Sequence, residues 1–165
     1  MIDIENFNQR SPYKVVASCI SGFYEFTTDY DVQYQIGFMP DTSIIQENAY
    51  QFIITNVNNR VSPNDAKVKD TVITMIDEFF RKNNDTLLYI CETGDGKQAM
   101  RNRLFHYWFS LYENSQNLIC MSSSVTDEEG IVNYATIILR NDNPKLSEII
   151  AEYTETIQLL NTKPE

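Results

Sequence analysis

The 165-residue sequence predicts an α+β fold built on a single mixed, mostly antiparallel sheet with helices on both faces. Three observations lead there. Short runs alternate apolar with polar residues, the period-2 pattern of half-buried strands. Between and after them lie segments whose apolar residues recur at helical spacing. One run, Thr86 to Cys91, is apolar without alternation, as expected of a central strand covered on both faces.

In order along the chain, residues Met1 to Pro12 and Asn161 to Glu165 are polar and read as frayed termini, and Tyr13 to Ile20 as a first strand. Phe23 to Thr28 and Val32 to Met39 form a hairpin about Asp29-Tyr30-Asp31, with Val32, Tyr34, Ile36 and Phe38 on one face. Tyr50 to Val57 is the next strand. Ser62-Pro63-Asn64-Asp65 starts a helix, because short oxygen-bearing side chains accept the unpaired N–H groups of the first turn. Val68, Val72, Met75, Ile76, Phe79 and Phe80 make its buried stripe up to Lys82. After the Thr86 to Cys91 strand, Glu92-Thr93-Gly94-Asp95-Gly96 is a loop and Lys97 to Asn114 a helix. Leu118 to Val125 and Ile131 to Arg140 form a second hairpin. Asn143-Pro144 supplies a cap and a first-turn proline for the last helix, whose stripe is Leu146, Ile149, Ile150, Tyr153, Ile157 and Leu160. The length suits one domain spanning residues 1–165, with an ordered core from about 13 to 160.

Hydrophobic residues make up 42% of the chain and aromatics 12%, enough for an ordered core. Cys19, Cys91 and Cys120 are widely spaced and include no CxxC pair. The N-terminus has no basic and apolar leader. A reducing, cytoplasmic home is therefore expected. No apolar run approaches the ~20 residues needed to span a bilayer, so no membrane partner is expected.

The formal charge of −10 argues against direct nucleic-acid binding. The cations cluster, however: Lys67, Lys69, Arg81, Lys82, Lys97, Arg101 and Arg103 all lie in the middle third, where any anionic ligand belongs. Partners are expected to be an unidentified protein or a small anion.

Catalytic chemistry is short of residues. The one histidine, His106, falls opposite the apolar face of its helix on a helical wheel and reads as solvated, which disfavours a Ser-His or Cys-His unit. Metal sites lack His and Cys ligands. No catalytic residue, metal or cofactor is assigned. Gly94-Asp95-Gly96-Lys97 follows a buried strand and precedes a helix, a place where amides bind anions, but it does not meet the G-x-x-x-x-G-K-[ST] signature.

The helix after that loop carries the least ordinary pattern. Met100, Leu104, Tyr107, Trp108 and Leu111 define its apolar face, extended by Phe105, Phe109 and Tyr112. Arg101 projects into the middle of that arc and Arg103 lies at its edge. A buried guanidinium needs a partner, so Arg101 is expected to be more than half buried and paired with Glu92 or Asp95. Glu92, Asp95, Lys97, Arg101, Arg103 and Tyr107 are the candidate ligand-binding residues.

Two resemblances add to this. The order of strands, helix, strand, helix, hairpin over Phe23 to Arg140 resembles the acyl-CoA-dependent N-acetyltransferase superfamily. That likeness implies a glycine-rich Q/R-x-x-G-x-G/A loop on the helix after the meander. The corresponding Ser62 to Lys69 stretch has no glycine and carries Asp65. On this analogy Tyr107 or Tyr112 would be the general acid and Glu92 the base. The second likeness rests on Tyr24-Glu25-Phe26-Thr27-Thr28, Ser62-Pro63, Asp70-Thr71-Val72, Glu78-Phe79-Phe80, Ile90 to Gln98, Arg101-x-Arg103-Leu104-Phe105-x-x-Trp108-Phe109 and Asn143-Pro144. It is similar to an uncharacterised family of small Bacteroidetes proteins, a domain of unknown function, whose defining part would be Cys91 to Phe109. The reading that follows is a non-catalytic binding or regulatory domain. An acyltransferase-like enzyme with a degenerate cofactor loop and an acidic inhibitor of a basic partner are the alternatives.

Overall fold

A computed structural model of the protein describes residues 2–61, 63–91, 97–112 and 115–162. Its elements are α1 (Ile4–Arg10), β1 (Val16–Ala17), β2 (Phe23–Thr27), β3 (Gln33–Pro40), β4 (Ala49–Asn56), α2 (Ala66–Lys82), β5 (Thr86–Cys91), α3 (Gln98–Ser110), β6 (Leu118–Thr126), β7 (Val132–Arg140) and α4 (Leu146–Asn161), in the predicted order from β1 onward. The strands form a seven-stranded sheet in the order β1-β2-β3-β4-β5-β7-β6. It is mixed, since β4 and β5 run parallel while β5–β7, β6–β7, β1–β2 and β2–β3 are antiparallel. The fold class predicted from sequence is thus observed. Among the described residues, no helix is long and apolar enough to cross a membrane.

The chain divides into two compact units. The first comprises Met1–Met39 and Phe52–Asn83. Its core is the apolar stripe of α2, all six predicted residues of which are buried. Phe79 stacks on Phe38 with ring centroids 4.7 Å apart and meets Phe80 edge-on at 5.0 Å. Gly37 is demanded by crowding: a Cβ there would lie 2.5 Å from the Gly22 carbonyl and 2.6 Å from the Phe23 ring. Asp65 caps α2 by accepting from the Lys67 N–H at 2.9 Å, and it also takes the Tyr13 hydroxyl at 2.6 Å.

The start of this unit departs from the sequence reading. The polar stretch before Tyr13 contains α1, whose Phe7 is fully buried, and the first strand shrinks to two residues. The cause is a charge network that periodicity does not reveal. Arg10 binds Asp77 at 2.8 Å and Glu78 at 2.6 Å, and Asn6 donates to the same Glu78 oxygen at 2.8 Å. Glu78 is 0% exposed, so these donors are what makes its burial tolerable. Tyr13 and Val15 are then drawn out of a strand. Tyr13 turns to Asp65 and stacks near Phe26, and the Val15 N–H goes to the Asn8 side chain.

The second unit comprises Pro40–Gln51 and Asn84–Glu165. Its frame is β5-β7-β6, joined by the start of β4 through Ala49↔Thr86, Tyr50↔Leu87 and Gln51↔Leu88. β6 and β7 pair without a bulge from Leu118↔Arg140 to Thr126↔Val132. The odd-numbered residues Ala135, Ile137 and Leu139 face α4, packing with Leu88, Tyr153 and Ile157. The even-numbered Thr136 and Cys120 face α3. Helices therefore cover both faces of this hairpin. The predicted cap and first-turn proline do not form: the helix begins at Leu146 with Lys145 at its N-cap position and no side-chain cap, so Asn143 and Pro144 precede it, Asn143 accepting from the Lys145 N–H and donating to the Asn84 carbonyl. Leu160, assigned to the stripe, is instead largely exposed.

Replacing Arg10 with Met removes the cation while keeping much of the volume. It leaves Asp77 and Glu78 buried without their counter-charge, so urea unfolding should show a loss of about 2–3 kcal/mol, below the full cost of an orphaned buried charge because Arg10 is itself partly solvated.

Candidate functional site: the two faces of the third helix

α3 presents opposite faces of unlike chemistry. Phe105 and Phe109, four residues apart and hence on one side, are its buried anchors. Phe105 stacks on Tyr89 of β5 with centroids 4.3 Å apart. Once those two rings face the sheet, Asn102 and His106 face it as well. His106 Nε2 lies 3.1 Å from Thr136 Oγ1, and Nδ1 lies 3.8 Å from Cys120 Sγ. Thr136 and Ser122 each donate to Asn102 Oδ1 at 3.4 Å.

In the Nε2–H tautomer of His106 these contacts form a directed chain. Since Thr136 gives its proton to Asn102, it accepts from His106 Nε2–H. Nδ1 is then left to accept from the Cys120 thiol. This corrects the reading of His106 as a solvated surface residue. The wheel placed it opposite the largest apolar arc, and that arc is not the buried one. A cysteine beside an oriented imidazole is also the arrangement of a nucleophile and its base. Burial decides against that use: it pushes the Cys120 thiol up to about 12 and holds His106 below its ordinary range. Thiol and imidazole are both neutral at pH 7, so no reactive thiolate is held there.

The opposite face of α3 is open. Met100 is 52% exposed, Leu104 46%, Tyr107 61% and Leu111 53%. Arg103 borders this stripe on one side, while Lys97 and the half-buried Arg101 and Trp108 border it on the other. No acidic residue occurs from Lys97 to Tyr112, in a chain with 23. Of the predicted binding residues, Lys97, Arg101, Arg103 and Tyr107 thus gather along one helix, Arg103 and Tyr107 facing solvent. Glu92 and Asp95 lie outside the described residues, as does the Gly94–Gly96 turn.

A cleft of about 370 Å³ lies elsewhere in the same unit, beside Asn48, Asp85, Asn143 and the start of α4. Two of its polar lining side chains are engaged in holding the backbone: Asn143 as above, and Glu152 through the Gln46 N–H at 2.8 Å. Among the described residues, no group of three or more His, Cys, Asp or Glu side chains is placed to hold a metal.

Residues 64–155, more than half of the chain, match the model of a family of unknown function, DUF6169. The chain belongs to that family. The DUF6169 match begins within the cap of α2 and ends inside α4, so it includes the whole of α3 and both strands that α3 packs on. No curated protein and no solved structure matches the chain.

Sequence reasoning missed Asn102, Cys120 and Thr136. The available signal was a threonine in the middle of the apolar run Ala135 to Leu139. Such a hydroxyl has to find a partner when buried, and only the polar side of α3 offers one.

His106 is the sole histidine, so the pH dependence of stability near pH 6 reports on it. Its folded value is lowered, so the unfolded chain takes up the proton first. Stability is fully present above about 6.5 and falls as pH drops through the folded value. Thermal unfolding between pH 7.5 and 5 should show this decline, and His106→Gln should flatten it over the upper part of that window.

Proposed function

We propose that this DUF6169 protein is a non-catalytic binding module whose α3 docks an acidic, amphipathic segment of a partner protein. The observation that carries this is the open apolar stripe of α3, flanked by cations on both edges in a chain of net charge −10. Four large apolar side chains held in water on one helix are characteristic of an interaction surface. The flanking Lys97, Arg101 and Arg103 select a partner with carboxylates beside its apolar contacts. An anionic membrane is disfavoured by the acidity of the rest of the chain. Cys19 and Cys120 are free thiols, which suits a reducing, cytoplasmic setting.

Trp108 is the only tryptophan and borders the stripe, so its emission reports binding there. A synthetic helix with Leu on one face and Glu on the other should shift Trp108 fluorescence saturably, and its Lys-for-Glu counterpart should not. Leu104→Glu should weaken binding by about 30-fold, equivalent to about 2 kcal/mol. Equal affinity for both peptides would remove the charge argument, and no saturable response to either would remove the site.

The acyltransferase alternative meets an obstacle at α2, where the Asp65 carboxylate already occupies the first-turn N–H of Lys67 and would oppose a pyrophosphate. Calorimetric titration with acetyl-CoA should register no binding. A dissociation constant in the low micromolar range would restore the enzyme reading.

A further inference from the structure

The sheet has two edges of very different kinds. β1 is two residues long, and shortness alone blunts it. β6 is nine residues long, LICMSSSVT, with no charge, no proline and no bulge. Its hydrogen-bonding directions can be read from its ends. Asp127 N–H donates to the Ile131 carbonyl and the Asn117 carbonyl accepts from Asn141, so odd-numbered residues face β7. Even-numbered residues consequently point outward. At one end these outward groups are covered: Asn161 of α4 donates to the Ser124 carbonyl at 2.9 Å and accepts from the Thr126 N–H at 3.0 Å. Its side-chain amide takes the place of a neighbouring strand's peptide group. Cys120 and Ser122, next along the edge, receive no such cover from any described residue.

We propose that β6 is a self-association edge, on which the β6 of a second copy pairs antiparallel about a two-fold axis at Met121. Cys120 then faces Ser122 of the other copy and Ser122 faces Cys120, giving about four backbone hydrogen bonds, two for each opposed pair. Regularly spaced outward N–H and C=O groups are satisfied by an extended strand and by little else. The second copy is favoured over a foreign peptide because the edge is self-complementary. The two-fold sets Met121 against Met121 and brings no carboxylate opposite another, although each chain is strongly acidic. Asn161 fixes the register by denying Ser124 and Thr126 to the incoming strand. The contact is small, so association is weak and concentration-dependent. It does not depend on the α3 reading.

Sedimentation velocity on the full chain, from about 10 µM to about 1 mM, tests this through two variants of opposite sign. Ser122→Pro deletes an outward N–H without touching the β6–β7 ladder, so it should abolish dimer formation with the circular dichroism unchanged. Asn161→Ala uncovers Ser124 and Thr126, permits longer pairing, and should tighten association at least about tenfold. Should Ser122→Pro fail to fold, the Asn161→Ala shift stands alone as the test. The proposal is overturned if wild type and Asn161→Ala both remain monomeric at about 1 mM, if Ser122→Pro associates as wild type does, or if the edge adds only an unrelated extended peptide.

Discussion

The second unit is organised around β7, a strand with a neighbour on each edge and a helix against each face. Ala135, Thr136, Ile137, Ile138 and Leu139 are all buried in succession. A strand in that position cannot tolerate an unpaired polar side chain, because water reaches neither face. Thr136 is the one such group in the run. Its hydroxyl is satisfied by His106 and Asn102, and those residues can reach it only if α3 turns its polar flank inward. The other face has a matching requirement, met by Tyr153, whose hydroxyl donates to the Ala135 carbonyl at 3.0 Å.

The exposed stripe on α3 follows from that constraint. Phe105 and Phe109 supply the apolar anchoring, and the helix has only one further direction in which to place Met100, Leu104, Tyr107 and Leu111. Leaving these side chains in water forgoes the stabilisation of burying them, on the order of 1.5–3 kcal/mol for each large side chain. The proposed docking role rests on their retention there, with Lys97, Arg101 and Arg103 alongside. The neutral Cys120–His106 pair belongs to the packing that sets which face of α3 is open.

Charge is used quite differently in the first unit. Arg10 fastens α1 to the pair Asp77 and Glu78, which lie on the buried side of α2. One Glu78 oxygen takes both Arg10 and Asn6, while the other, Oε1, has no hydrogen-bond partner among the described residues. The arrangement secures a specific docking geometry for α1. The same carboxylates replaced by apolar residues of similar volume would serve stability about as well.

The sequence by itself determined the order and type of nearly every element. Apolar periodicity is a local property, and the α2 stripe, the β2–β3 and β6–β7 hairpins and the unbroken Thr86–Cys91 strand are all written in it. It also determined that the cations concentrate in the middle third, along α2 and α3. What only tertiary structure decided is which way an element faces when two faces compete, and which distant charges meet. The larger apolar arc of α3 pointed one way, and the two phenylalanines with a buried threonine 30 residues on pointed the other. Burial of Thr136 is a property of its neighbours in space, so no helical wheel contains it. Likewise α1 exists because Arg10 finds carboxylates 67 and 68 positions away, a pairing that carries no periodic signal in the chain.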